Sequence, residues 1–96
     1  MRPSEVLSQH RDTIRRLVAE AGMANSRVFG SVLHGDDGDG SDLDLLIDAP
    51  PRASLLEIAK VQVAIEDAVG VPVDLLTPDS LPVKFRNQVV AEALPL

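Results

Sequence analysis

Between Ser41 and Ile47 the chain reads Ser41-Asp42-Leu43-Asp44-Leu45-Leu46-Ile47, two carboxylates two residues apart inside an aliphatic run. In a strand, side chains two apart share a face. The pattern therefore predicts Asp42 and Asp44 aimed at one spot, with Leu43, Leu45 and Ile47 packed into a core on the other face. Two like charges held side by side repel unless a cation lies between them, so the pair reads as part of a divalent metal site. Upstream, Gly30-Ser31 reads as a turn able to carry phosphate. Glycine admits close backbone approach, and amides opening a helical turn can donate to phosphate oxygens together with the serine hydroxyl.

A third acid, Asp74, lies in the aliphatic segment Val73-Asp74-Leu75-Leu76. On a neighbouring strand it would complete a two-metal arrangement, with ions roughly 3.5–4 Å apart holding the attacking and leaving oxygens of a transfer reaction. An exposed edge position accounts for it equally well from spacing alone. The acid-rich loop of Asp36, Asp37 and Asp39 reads as solvated turn residues, because Asp-Gly pairs favour turns. Asp37, Asp39, Ser41 and Asp48 also fall at positions one, three, five and twelve of a calcium-loop frame, but Asp42 occupies the sixth position, where glycine is required. Asp48, abutting Ala49-Pro50-Pro51, reads as a strand-exit residue, and His10 as a boundary side chain of the first helix. His34 stands beside the presumed phosphate turn, open between a nucleotide contact and a solvated loop position. Nothing in the spacing places Arg52, Lys84 or Arg86.

Asp36, Asp37, Asp39, Asp42, Asp44 and Asp48 alone equal the formal charge of −6, so the remaining acids match the 9 Lys and Arg. A surface of that sign repels a bare nucleic-acid backbone. With 2 Phe and no Trp or Tyr, stacking platforms for single strands are missing too, so direct nucleic-acid binding is not expected. The absence of cysteine excludes disulfides, thiol nucleophiles and zinc–thiolate sites. No apolar run is long enough for a signal peptide or membrane span, and a cytoplasmic protein is expected.

Ser4 is positioned to cap a first helix running to about Ala21, stopped by Gly22. Arg27 to Phe29 reads as a short strand, Val32 to Gly35 as one helical turn, and Leu43 to Ile47 as the second strand. Ser54-Leu55-Leu56-Glu57 has capping-box form and opens a second long helix, ending at Gly70. Val71 to Leu76 reads as a third strand, at an edge or beginning because of Pro72. A last helix, capped by Asp79 or Ser80, runs through Phe85 and Val89 to about Ala93. The expectation is one α/β or α+β domain over residues 1–96, with a small mixed sheet flanked by helices.

Gly30-Ser31-Val32-Leu33-His34-Gly35 followed by Ser41-Asp42-Leu43-Asp44-Leu45-Leu46-Ile47, with Val73-Asp74-Leu75-Leu76 as the third-acid strand, resembles the minimal nucleotidyltransferase family, the small relatives of DNA polymerase beta. The resemblance covers nearly the whole chain. It implies a mixed sheet flanked by helices, Asp42, Asp44 and Asp74 as the catalytic and metal-binding triad for two Mg2+ ions, and Gly30 and Ser31 on the phosphates of ATP. Members of this size resemble the antitoxin half of bacterial HEPN/MNT toxin–antitoxin pairs. That implies transfer of AMP from ATP onto a tyrosine of a HEPN ribonuclease toxin, with which the protein would form a hetero-oligomer. His34 departs from the family pattern, in which many relatives carry Arg just before the second glycine. Two further readings stay open at this point. One is an antitoxin that neutralises by binding alone, and the other is a standalone regulatory nucleotide-binding module.

Overall fold

A computed structural model describes the whole chain, Met1–Leu96. The elements run α1 (Pro3–Glu20), β1 (Ala24–Phe29), α2 (Gly30–His34), β2 (Leu43–Asp48), α3 (Leu55–Val69), β3 (Val73–Leu76), a 3-10 turn (Pro78–Ser80), α4 (Val83–Glu92) and β4 (Leu94–Pro95). The strands form the expected mixed sheet, in the order β3-β2-β1-β4. β1 runs antiparallel to both β2 and β4, whereas β2 and β3 are parallel. A parallel pair needs a crossover, and α3 supplies it.

The two faces of the sheet do different work. One packs Leu43, Leu45 and Ile47 of β2 against Val6, Ile14 and Val18 of α1 and Val61, Ile65 and Val69 of α3. Burying each such side chain contributes about 1.5–3 kcal/mol. Leu46 is fully buried yet stands outside that cluster, because strand alternation turns it to the opposite face. Its cross-strand partners Arg27 and Leu76 lie on that face with it, as do Asp44, Phe29 and Asp74.

Helix α3 begins as its capping sequence predicts. The Ser54 hydroxyl accepts the Glu57 N–H at 3.1 Å, which satisfies one of the donors a helix start leaves open. Helix α1 does not. It starts at Pro3, with Arg2 at the N-cap and no side-chain cap of its own. The Ser4 N–H instead donates to Asp37 Oδ2 at 2.9 Å, while Arg2 Nε donates to the Asp37 carbonyl at 3.0 Å. Asp37 is therefore buried, which corrects its reading as a solvated turn residue: a loop acid distant in sequence takes the capping role expected of Ser4. The Ser4 amide holds the Asp37 carboxyl below its ordinary value, against the opposing pull of burial, with the Ser4 hydroxyl and Arg2 assisting.

The C-terminal part differs more. Asp79 and Ser80 do not cap α4. They belong to the 3-10 turn, which Ser80 closes by accepting the Thr77 N–H at 2.9 Å, and α4 begins only at Val83. The short edge strand β4 pairs Leu94 with Val28 and Pro95 with Arg27, and nothing in its two residues announces it. β3 lies at the other edge, as Pro72 suggests. Its Val73 and Leu75 amides are taken by the Glu66 carboxylate at 2.9 Å and the Gln62 side-chain carbonyl at 3.1 Å. Those two α3 residues seal an edge that would otherwise offer free donors.

Candidate active site

Strand β1 ends at Phe29, opposite Asp44 of β2, and the chain turns at once into α2. At that turn Gly30 has φ +72, a left-handed conformation that costs any residue with a Cβ. A Cβ at Gly30 would overlap Asp44 Oδ2 and stand 2.9 Å from Asp44 Cγ. The close approach that requires glycine here is thus to the carboxylate of Asp44. On the far side of β2, Asp74 is the direct register partner of Asp44, so the two side chains leave the same face of adjacent strands. Asp42 enters just before β2. It and Asp74 are exposed, while Asp44 between them is partly buried. Gln62 and Glu66, by holding the amides on either side of Asp74, keep β3 in place. Sequence reasoning missed both, since neither carries a catalytic pattern.

The electrostatics follow from this arrangement. Burial, then the charge of Asp74, then that of Asp42, push the Asp44 carboxyl up to about 6, and the Ser31 amide offsets only part of the rise. No Lys, Arg or His forms an ion pair with any of the three. Concentrated negative charge without a protein counterion suits a hard divalent cation, which takes oxygen ligands and keeps several waters. The donor set fits such an ion, and the open side leaves room for those waters. No three His, Cys, Asp or Glu side chains are already drawn into a cage, so the acids share a face and a field rather than a closed ligand geometry.

The remaining acids of the loop and strand divide differently. Besides Asp37 with Arg2, Asp48 accepts from Arg27 at 2.7 Å and from Asn25 at 2.9 Å, so arginines from elsewhere neutralise part of the negative surface. With Asp37 and Asp48 engaged in this way, the calcium-loop frame has no physical basis. His34 Nε2 lies 3.3 Å from a Glu92 carboxylate oxygen, a contact between α2 and α4 invisible in sequence. Arg86 donates to the carbonyls of Asp79 and Leu81, both at 3.1 Å, tying α4 to the 3-10 turn. A hollow of about 660 Å³ between α1 and β4 contains none of the three acids. Another, of about 490 Å³, is lined by Gly30, His34 and α4.

Comparison with known proteins adds four findings. The family model described as the nucleotidyltransferase domain matches residues 7–96. A solved structure presented as a candidate minimal nucleotidyltransferase is 39% identical, covers 97% of this chain and 95% of its own, and superposes with a TM-score of 0.84. The protein adenylyltransferase MntA of Thermococcus cleftensis is 29% identical over 89 residues, 93% of this chain and 87% of the relative. A chain from a crystal structure of a toxin–antitoxin with AMP-PNP shares the fold at TM-score 0.75 and 21% identity, over 88% of this chain and 69% of that one.

Proposed function

We propose, from the premise that this chain belongs to the nucleotidyltransferase domain family, that it transfers AMP from ATP to a tyrosine hydroxyl of a HEPN-type ribonuclease toxin and so acts as its antitoxin. The observation that carries the reading is the position of Asp44, paired with Asp74 across the parallel ladder, its carboxyl pushed up first by burial and then by the charges of Asp74 and Asp42. Support also comes from the relative named a protein adenylyltransferase and from the toxin–antitoxin of like fold crystallised with AMP-PNP. The reaction class fits residues 1–96 read as one nucleotidyltransferase domain, and a cytoplasmic setting would supply ATP and magnesium.

Transfer joins the acceptor oxygen to the α-phosphorus and breaks the bond from that phosphorus to pyrophosphate. Pyrophosphate departs with its charge, and the acceptor proton goes to water. Asp42 and Asp44 would hold two Mg2+ ions, and Asp74 the one nearer the acceptor. Bound there, magnesium would offset phosphate charge and lower the pKa of the acceptor hydroxyl. Gly30 and Ser31 would meet the phosphates through the serine hydroxyl and the turn amides not already directed at Asp44. Asp74, exposed at the open side, orients the incoming hydroxyl.

The test is transfer of labelled AMP to a HEPN-type toxin, read also as a gain of whole AMP units in the intact mass of the acceptor. Asp42→Asn with Asp44→Asn is expected to abolish labelling while the fold persists by circular dichroism. Undiminished labelling refutes the assignment. Neutralisation that persists in the double variant without ATP would establish the binding-only antitoxin instead.

A further inference from the structure

Helix α4 buries none of its residues, although Phe85, Gln88, Val89 and Glu92 share one face at helical spacing. That face looks onto the hollow of about 490 Å³ whose opposite walls include Phe29, Gly30 and Leu76. Phe85 remains 50% exposed, with the Lys84 ammonium over its ring at 5.6 Å from the centroid, in a chain with only 2 Phe and no Trp or Tyr. This mixed face, with Phe85 and Val89 beside Gln88 and Glu92, is left incompletely covered over an open hollow.

Two features join the hollow to the acids. Gly30 belongs to both, lying against Asp44 on one side and lining the hollow on the other. Leu76 follows Asp74 by two residues on β3, as Leu46 follows Asp44 on β2, and the two are register partners. One strand repeat, roughly 7 Å, therefore separates the carboxylates from the floor of the hollow. The hollow therefore lies within reach of a nucleotide whose phosphates sit at the acids and the Gly30 turn, and its volume of about 490 Å³ is within the usual range for small-molecule sites.

We propose that the hollow receives the nucleoside of the bound nucleotide, with the base stacked on Phe85 and its amino edge turned to Gln88 and Glu92. This rests on the nucleotide chemistry proposed above. The Glu92 carboxylate is fixed from both sides, by the Gln88 amide at 3.2 Å and by His34 at 3.3 Å, and retains lone pairs for a further donor. An amino group, as on adenine, supplies that donor. A carbonyl in the same place, as on guanine, would face the carboxylate without a proton. His34 acts as a positioning residue that steadies Glu92.

Calorimetry with magnesium compares AMP-PNP with inorganic tripolyphosphate, which has the phosphates and no nucleoside. The expected result is that AMP-PNP binds at least about ten-fold tighter. Phe85→Ala and Phe85→Leu should weaken AMP-PNP roughly 5- to 150-fold and leave tripolyphosphate unchanged, and Phe85→Tyr should restore the loss. Equal binding of the two ligands by the unaltered protein overturns the inference. So does an AMP-PNP affinity unmoved by either variant, or an equal loss for both ligands. Unmoved affinity with reduced AMP transfer would give the hollow to the acceptor instead. Binding of neither ligand would refute the nucleotide reading itself and this inference with it.

Discussion

Gly30 and Gly35 offer a controlled pair for testing why the Gly-Ser turn has its sequence. Their φ angles are +72 and +75, but a Cβ on Gly35 meets nothing within 4 Å, whereas one on Gly30 runs into the Asp44 carboxylate. Gly35→Ala should therefore cost only the left-handed penalty of about 1–2 kcal/mol. For a chain of this size each kcal/mol lowers Tm by roughly 4–8 °C. Gly30→Ala pays the same backbone term and also displaces Asp44, since its Cβ would stand 2.9 Å from Cγ and 3.2 Å from Cβ of that residue. Overpacking of this kind adds about 1–3 kcal/mol, toward the lower end because Asp44 is only partly buried and can swing aside. Swinging aside takes it away from Asp74, so Gly30→Ala should also lose AMP transfer, while Gly35→Ala keeps it. The assay is thermal melting of both variants beside a labelled-transfer measurement, repeated in an Asp44→Ala background. There most of the excess cost of Gly30→Ala in stability should disappear, because the carboxylate is gone and only the 3.2 Å approach to the residue-44 Cβ remains. Equal melting and equal transfer of the two alanine variants, with Asp44 intact, would refute the steric argument.

Three further outcomes are expected. In EDTA, the Asp44 carboxyl, at about 6 when folded against 3.8 ordinarily, binds more protons in the folded state between those values. Stability from this group is then fully present below pH 3.8 and lost as pH rises to about 6; discounted for partial exposure, the loss is about 1 kcal/mol, and urea melts of Asp44→Asn should lack it. Asp37→Ala, which removes the acceptor for the Ser4 amide, should lower Tm by roughly 4–8 °C and speed amide exchange in the first turn of α1, as read by hydrogen exchange. Asp74→Asn should reduce the rate of transfer by about 100-fold or more while leaving AMP-PNP affinity within a few-fold, because its role concerns the acceptor; equal losses in binding and rate would contradict that role.

Local rules account for much of the molecule. Alternation in Asp42 to Ile47 placed the acids and the core leucines on opposite faces, Ser54-x-x-Glu57 marked the start of α3, and Pro72 marked the edge strand, because each signal depends on neighbours a few residues apart. The order of helices and strands as far as α4 was legible for the same reason, whereas β4 (Leu94–Pro95) was not. What the linear pattern left open was whether Asp74 faced Asp44, since an acid in an edge strand looks alike in either register. Only the parallel pairing of β2 with β3 decided it. Asp37 looked like a solvated turn residue until the fold brought the Ser4 amide of α1 to it, and His34 gained Glu92 only when the end of α4 came within reach of α2. Gly30 was legible as a turn residue, but the group it makes room for was not. Such partners lie tens of residues away along the chain, and their meeting depends on how helices and sheet stack, a global outcome of burying one apolar face that no local spacing encodes.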